Sequence, residues 1–488
     1  MSRKKIDVNK AIENATIALK NDPNILDSTK NAFNSLLEVA IILKNRLTLN
    51  SKNSSKPPST DNDSSKKGKG KKGTNKNKKG GQNGHPGVTL NPVDNPDEVK
   101  TIEYDRRTLP KDTTYTHDGY EARQEFNIRI SKFVIEYRAE RLVDNTGNVI
   151  VAPFPDGITH KAQYGASIKA RAVYLSVEQM IPYERIQNQF QHDANISIAT
   201  GSFVNFKREA FNKLKGLQFD KVAKYALAQS SIMHSDETGI NIGGKKHWLH
   251  GASNDTWSWF EPHKKRGCIA MDTIGILPIF KGLLCHDHWK AYFSYSCVHS
   301  LCNSHHAREL LRAFEQDGQK WAKKMRDFLL GLNEAIKATK RKCLTKKKIK
   351  KAIKKFRRIL RAGNKECPEK LPKPGCKRRP AQTKSRNLLE RLRDYEDEVL
   401  RFIKEPLAPF TNNLGERDIR MNKVQQKISG CFTSMETAVE HCTIKSYLST
   451  CKKNGISASD ALKIVFNNEL PDFIRAKAEE MNRRSNTS

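Results

Sequence analysis

No cysteine occurs before Cys268, and the ten from there on lack the regular spacing of a disulfide framework. That excludes a disulfide-stapled scaffold and reads as reduced thiols in a cytosolic protein. No stretch approaches the roughly 18 apolar residues of a membrane span. The opening segment, MSRKKIDVNKAIENATIALK, has no apolar signal region, so export is not expected. Acidic residues are scarce: 53 Asp and Glu stand against 88 Lys and Arg, a formal net charge of +35 over 488 residues. Such a chain is suited to a polyanion, and nucleic acid is the commonest one. Most of its carboxylates should be solvated or paired with a nearby lysine. Asp236 in HSDETG and Asp287 in CHDHW differ, because each closes an apolar, strand-like run. Burial there is costly unless a cation or hydrogen-bond donors compensate.

At 37% hydrophobic residues the chain can bury a core while leaving a good part exposed. Residues 1–49 read as helical, with Phe33, Leu36, Leu37, Ala40, Ile41, Leu43 and Leu47 at helical spacing. Their one or two heptads could dimerise or simply pack on their own domain. Residues 50–87 are a linker by composition: eight of the fourteen residues from Lys66 to Lys79 are lysine. Lys66, Lys67, Lys69, Lys71, Lys72, Lys76, Lys78 and Lys79 would form a disordered arm that releases counterions from a phosphate backbone. A merely solubilising linker is the alternative. Residues 88–160 alternate apolar and polar positions and predict a small β-rich module. Residues 161–222 predict three helices with a loose helix-turn-helix pattern, whose third helix would present Asn205, Lys207 and Arg208. A packed helical connector is an equal reading.

From residue 223 the pattern is a three-strand meander, a helical crossover, the strand GLLCHDHW, and HSLCNSHH leading into a helix. This is the order of a ribonuclease H-like domain. We expect an α/β multidomain protein whose ribonuclease H-like core spans 223–314 and 401–432. Residues 315–400 interrupt it with a helical insertion, and 433–488 form a helical C-terminal segment. From Lys337 to Lys365, fifteen of twenty-nine residues are Lys or Arg, while Ile349, Ile353, Phe356 and Leu360 keep one apolar stripe. That predicts a packed helix with a basic face, offering Lys350, Lys351, Lys354 and Lys355 to DNA.

Asp287 follows Asp236 by 51 residues, and Glu416, in TNNLGERDIRM, lies 129 further on. Glu416 falls in a helix predicted to start near Asn412 or Asn413. Two strand carboxylates and one helix carboxylate could hold two divalent ions for in-line phosphoryl transfer, with Mg²⁺ or Mn²⁺ as the fitting ions. Glu237, Asp272 and Asp418 are competitors by position, Asp418 being read as a surface partner of Arg417 or Arg420. Trp248, Trp257 and Trp259 alternate on a strand and read as core, whereas Trp289, two residues past Asp287, is better placed to touch DNA.

The segments NSSKPPSTD, GGQNGHPG, MIPYERI, HSDETG, HWLHGAS, GLLCHDHWKAY, LCNSHHARELL and PLAPFTNNLGERDIRMNKVQQKISGCF resemble, in order, transposases of the insertion-sequence-66 family. The resemblance implies a DDE integrase core with Asp236, Asp287 and Glu416 as catalytic, metal-binding carboxylates. It also implies a prokaryotic, nucleoid-associated protein that binds element ends and target DNA as a homo-oligomer, with possible helper proteins of the element. His305 and Arg308, with Asn413, Arg417, Arg420 and Lys423, would lie near the site and its phosphates. The family usually carries a cysteine zinc module before the catalytic domain. Residues 88–160 contain no cysteine, and His117 and His160 alone cannot complete a four-ligand site, so no zinc is expected there. Zinc at Cys302 and His305 would need further ligands, for which Cys285, His286, His288 and Cys297 are nominally available. Two other functions fit the same residues: a catalytically inactive DNA-binding relative, and a nuclease of the same fold.

Overall fold

The computed structural model describes residues 8–21, 25–54, 90–339, 341–372 and 380–485. The N-terminal helical stretch is two helices, α1 (Val8–Asn21) and α2 (Asp27–Leu47), and α2 buries none of its residues. Its C-terminal end is tied down by Gln316, which donates to the Asn45 carbonyl at 3.0 Å, and by Asn53, which donates to Glu315 at 3.0 Å.

The expected β-rich module is built only as a two-stranded sheet. Between 90 and 160 the ladder is a single exposed hairpin, β1 (Arg141–Val143) with β2 (Val149–Val151). Ile128, Phe133, Val134 and Leu142 remain exposed. Alternation alone suggests a strand only where a partner takes up the backbone groups and the apolar face. Here neither is supplied by the described residues.

Next come α3 (Ala166–Val173), α4 (Tyr183–Ala194), α5 (Thr200–Gly216) and α6 (Phe219–Ala228). They lead into a mixed five-stranded sheet of β3 (Ile232–Ile242), β4 (Lys245–Ser253), β5 (Ser258–His263), β6 (Leu283–His286) and β7 (Val298–Leu301). The spatial order is β5-β4-β3-β6-β7, antiparallel through β3 and parallel beyond it. The parallel step needs a crossover, supplied by the segment that carries α7 (Cys268–Ile274).

Both faces of the sheet are covered, as a parallel pair requires. Leu284 joins a core built from the α3–α6 helices and the C-terminal helices, while its neighbour Leu283 joins a core on the other side. That second core is made by α8 (Asn303–Asp317), α9 (Lys320–Lys337), α10 (Lys346–Glu366), α11 (Lys384–Asp394), α12 (Glu396–Val399) and α13 (Arg401–Lys404). In α10, Phe356 and Leu360 are buried, Ile349 and Ile353 are partly so, and the lysines stand outside. A side chain at Gly363 would meet Leu389 at 2.4 Å and Trp321 at 2.9 Å, so glycine lets α10 sit against α9 and α11.

The chain then returns to the sheet through α14 (Asn413–Ser429), which packs Ile419 on Leu249 and Phe260, and ends with α15 (Met435–Lys453), α16 (Ala458–Phe466) and α17 (Asp472–Ser485). Strand β5 is a sheet edge. The α15 hydroxyls of Ser446 and Thr450 accept from the Phe260 and Ser258 N–H groups at 2.8 and 3.1 Å, so the edge is closed by side chains rather than another strand. Among the described residues no helix is long and apolar enough to cross a membrane.

Candidate active site

In the β3–β6 ladder His234 is in register with Cys285. Asp236 and Asp287 each lie two residues further on, so they stand side by side on one face. Asp236 does not end its strand as the sequence suggested: β3 runs on to Ile242, paired with β4. Only the parallel ladder stops there, because β6 ends at His286.

The third acid arrives from above. Glu416 is in the first turn of α14, next to Gly415, where an added side-chain carbon would lie 3.3 Å from that of His234. Glycine at that position lets the helix approach β3 closely. The approach is held by Asn412, a buried residue that the sequence reading passed over. Its amide accepts from His234 Nδ1 at 2.8 Å and donates to the Ser235 carbonyl at 2.8 Å. Its backbone N–H donates to Cys302 Sγ at 3.1 Å, and its carbonyl accepts from the Glu416 N–H at 3.1 Å. One residue thus joins β3, the start of α8 and the start of α14. The signal available in sequence was only the preference for asparagine before a helix.

Electrostatics follow from this crowding. Burial, then the charges of Glu237, Asp287 and Glu416, push the Asp236 carboxyl up to about 8. Burial and Glu237 also raise Asp287, partly offset by the Trp289 N–H that donates to its Oδ1 at 2.9 Å. A protonated or cation-bound state of these acids is favoured over bare charges.

The positional competitors have partners elsewhere. Glu237 is buried and accepts from Arg266 Nη2 at 2.6 Å and from the Tyr292 hydroxyl at 2.5 Å. Asp272 accepts from Tyr295 at 2.8 Å. Asp418 is not the surface partner of Arg417 or Arg420 that the sequence suggested. Its side chain is 9% exposed and pairs with Lys453 at 2.6 Å, because α14 turns it toward α15, and Arg417 Nε stays at 4.0 Å.

His305 lies against a carboxylate, its Nδ1 3.7 Å from Glu416 Oε1. Burial, then Arg308, lower its basicity. Cys302 is buried with its Sγ 3.8 Å from the same oxygen. His286, His288 and Cys297 are engaged elsewhere: His286 and Cys297 meet His299, at 3.0 and 3.8 Å, and His288 meets His306 at 3.4 Å, whereas Cys285 is buried, its thiol raised by burial and then by the nearby Cys302 and Glu416.

Around this centre, Asn413, Arg417, Arg420 and Lys423 are exposed on α14, with Arg420, Lys423 and Lys427 on the face of Glu416. Arg308 is half-buried, and its Nε contacts the Ser304 carbonyl at 3.4 Å. Trp257 and Trp259 are buried, as alternation implied. Trp248 is not core. It faces the Arg266 guanidinium at 4.7 Å, and Trp289 faces the same group at 4.3 Å. This indole–guanidinium–indole stack, anchored by Glu237, was not foreseen.

Farther away, Lys350, Lys351, Lys354 and Lys355 are exposed. Arg208 pairs with Glu440 at 3.1 Å and Lys207 is half-buried, with α5 packed along α15. The linker lysines from Lys66 to Lys79 lie outside the described residues.

A family model described as Transposase IS66 family matches residues 161–440, more than half of the chain and all three acids. A family of unknown function (DUF6444) matches residues 15–91. An uncharacterized protein, y4jO of Sinorhizobium fredii (strain NBRC 101917 / NGR234), is 37% identical over 70 residues, which is 14% of this chain and 22% of that protein. The chain therefore spans about a fifth of that relative's length. The extent of the family match settles the kinship: the chain belongs to the IS66 family of transposases.

Proposed function

We propose that the protein is a DNA transposase that cuts at element ends and joins the released 3′ hydroxyl to target DNA, using Asp236, Asp287 and Glu416 as its catalytic, metal-binding acids. The observation that carries this reading is the juxtaposition of two acids, each two residues past the last rung of the parallel ladder, with a third on a helix stapled over them by Asn412. The meander, crossover and parallel pair support a ribonuclease H-like core with residues 315–400 as an insertion.

The donor set fits hard divalent cations: all three groups are carboxylates, and the Asp236 acid is raised by burial and then by like charges that a cation would relieve. When bound, two Mg²⁺ or Mn²⁺ ions would polarise the scissile phosphate and activate the attacking water or hydroxyl. The chain's own residues do the rest. Arg420, Lys423 and Lys427 continue the Glu416 face of α14 as a cationic strip for the DNA backbone. Asn412 fixes the helix against the strand. The Trp248–Arg266–Trp289 stack offers flat surfaces beside Asp287 for bases near the cut. The exposed lysines of α10 add affinity without reading sequence.

The test uses the Asp236→Asn variant with a duplex carrying an element end. Metal-dependent cleavage should be abolished while binding of the same duplex persists; cleavage surviving in the variant overturns the assignment. A pre-cut end should yield strand-transfer product with wild type. Hydrolysis without that product would identify a nuclease instead.

A further inference from the structure

The ligand atoms of Cys302, His305 and Glu416 all lie within 4.8 Å of one another, a cluster of mixed sulfur, nitrogen and oxygen donors unlike the three acids. The Glu416 oxygen is 3.7 Å from His305 Nδ1 and 3.8 Å from Cys302 Sγ. Tetrahedral zinc, with bonds of about 2.0–2.3 Å, needs ligand atoms separated by about 3.3–3.6 Å. Small side-chain rotations cover the difference.

Two further features point to a bound cation. His305 Nδ1 is buried and has no hydrogen-bond partner among the described residues. A buried imidazole nitrogen left this way is in want of a ligand. The sulfur of Cys302 is fixed in direction by backbone N–H groups. Cys302 caps the start of α8, and its Sγ accepts the Asn412 N–H at 3.1 Å, with the Ser304 and His305 N–H groups also turned to it. Burial keeps the free thiol protonated, pushed up to about 11.

We infer that Cys302, His305 and Glu416 form a site for Zn²⁺, with its fourth position open, and that zinc bound there inhibits DNA cleavage by drawing Glu416 away from Asp236 and Asp287. The inhibitory half rests on the proposed role of Glu416; the binding half does not. Donor softness separates the two sites: Mg²⁺ prefers the oxygen-only set, whereas zinc gains from thiolate and imidazole. Binding releases the thiol proton to solvent.

Cobalt(II) titration of the metal-free full-length chain tests the binding half. A single equivalent should give a thiolate-to-cobalt charge-transfer band and tetrahedral visible bands, and Zn²⁺ should erase both. Cys302→Ser should remove the charge-transfer band, and His305→Gln and Glu416→Gln should each weaken cobalt binding about 10–100-fold. No band in wild type, or an unchanged band in Cys302→Ser, overturns the site. For inhibition, each protein is assayed in saturating Mg²⁺ and scored against its own zinc-free rate. Cys302→Ser and Cys302→Ala should need about tenfold more zinc than wild type for half-inhibition. Equal zinc sensitivity with the cobalt band intact would leave the site standing and overturn the sharing of Glu416. Loss of cleavage in every protein even without zinc would instead count against the proposed reaction.

Discussion

Asp236→Asn should make the metal-free protein more stable, and by more at high pH than at low. Burial and three neighbouring carboxylates hold the Asp236 acid at about 8, against 3.8 for an ordinary aspartate. In the unfolded chain the group ionises near its ordinary value; in the folded chain it keeps its proton until pH 8. The folded state therefore binds more protons across that window, and stability falls as pH rises through it. At pH 7 the full separation corresponds to about 4 kcal/mol, an upper limit that local relaxation reduces. Near pH 4 the same difference is close to zero. Asparagine removes the titration while keeping an oxygen to accept the Glu237 N–H, which bonds Asp236 at 3.0 Å. Thermal unfolding in chelator should thus show the variant melting well above wild type at pH 8 and level with it near pH 4. Added Mg²⁺ should raise wild type at pH 8 by more than it raises the variant. A variant that is no more stable than wild type in chelator at pH 8 would refute the reasoning.

Three other substitutions separate structure from chemistry. Asn412→Ala leaves the His234 N–H and the Ser235 carbonyl buried without their partner. At about 1–3 kcal/mol per orphaned group, it should lower the urea midpoint and reduce cleavage at saturating DNA, while Asn412→Asp, which keeps the bond to His234, should lose less of both. Asp418→Asn removes the carboxylate that faces Lys453, whose side chain is 13% exposed and keeps the Asn254 and Trp257 carbonyls as acceptors at 2.6 and 3.2 Å. It should destabilise by about 1–3 kcal/mol yet preserve stabilisation by Mg²⁺, as measured by calorimetry with and without the ion. Replacing Lys350, Lys351, Lys354 and Lys355 by Gln should leave melting nearly unchanged and flatten the dependence of log K on log salt by about 0.9 for each DNA phosphate that is no longer neutralised. An unchanged salt slope would remove α10 from the DNA surface.

The strand runs around Asp236 and Asp287 were legible because apolar runs broken by Gly-Gly and Asn-Asp turns are local signals. The start of α14 and the apolar stripe of α10 were legible for the same reason: helical spacing and asparagine at a helix start need no knowledge of the partner. Asn412 and the Arg266 stack were not legible. The Asn412 bonds span 177 and 178 residues of sequence, and nothing local marks which buried amide will bridge two elements. Asp418 was misread for the opposite reason, since a neighbouring arginine is a local cue and Lys453, 35 residues away, is not. Between 99 and 152 the alternation was real, but pairing depends on a partner strand that alternation does not identify.

The long helical interruption between β7 and α14 has a consequence in time. Asp236 and Asp287 are 51 residues apart, but Glu416 is made 129 residues after Asp287. At synthesis rates of about 5–20 residues per second, that is roughly 6–26 s during which a nascent chain holds two acids without the third. On the proposed assignment the growing polypeptide cannot cut DNA until α14 has been made. A product truncated before α14 would be similarly harmless, while retaining the basic helix that lets it occupy DNA.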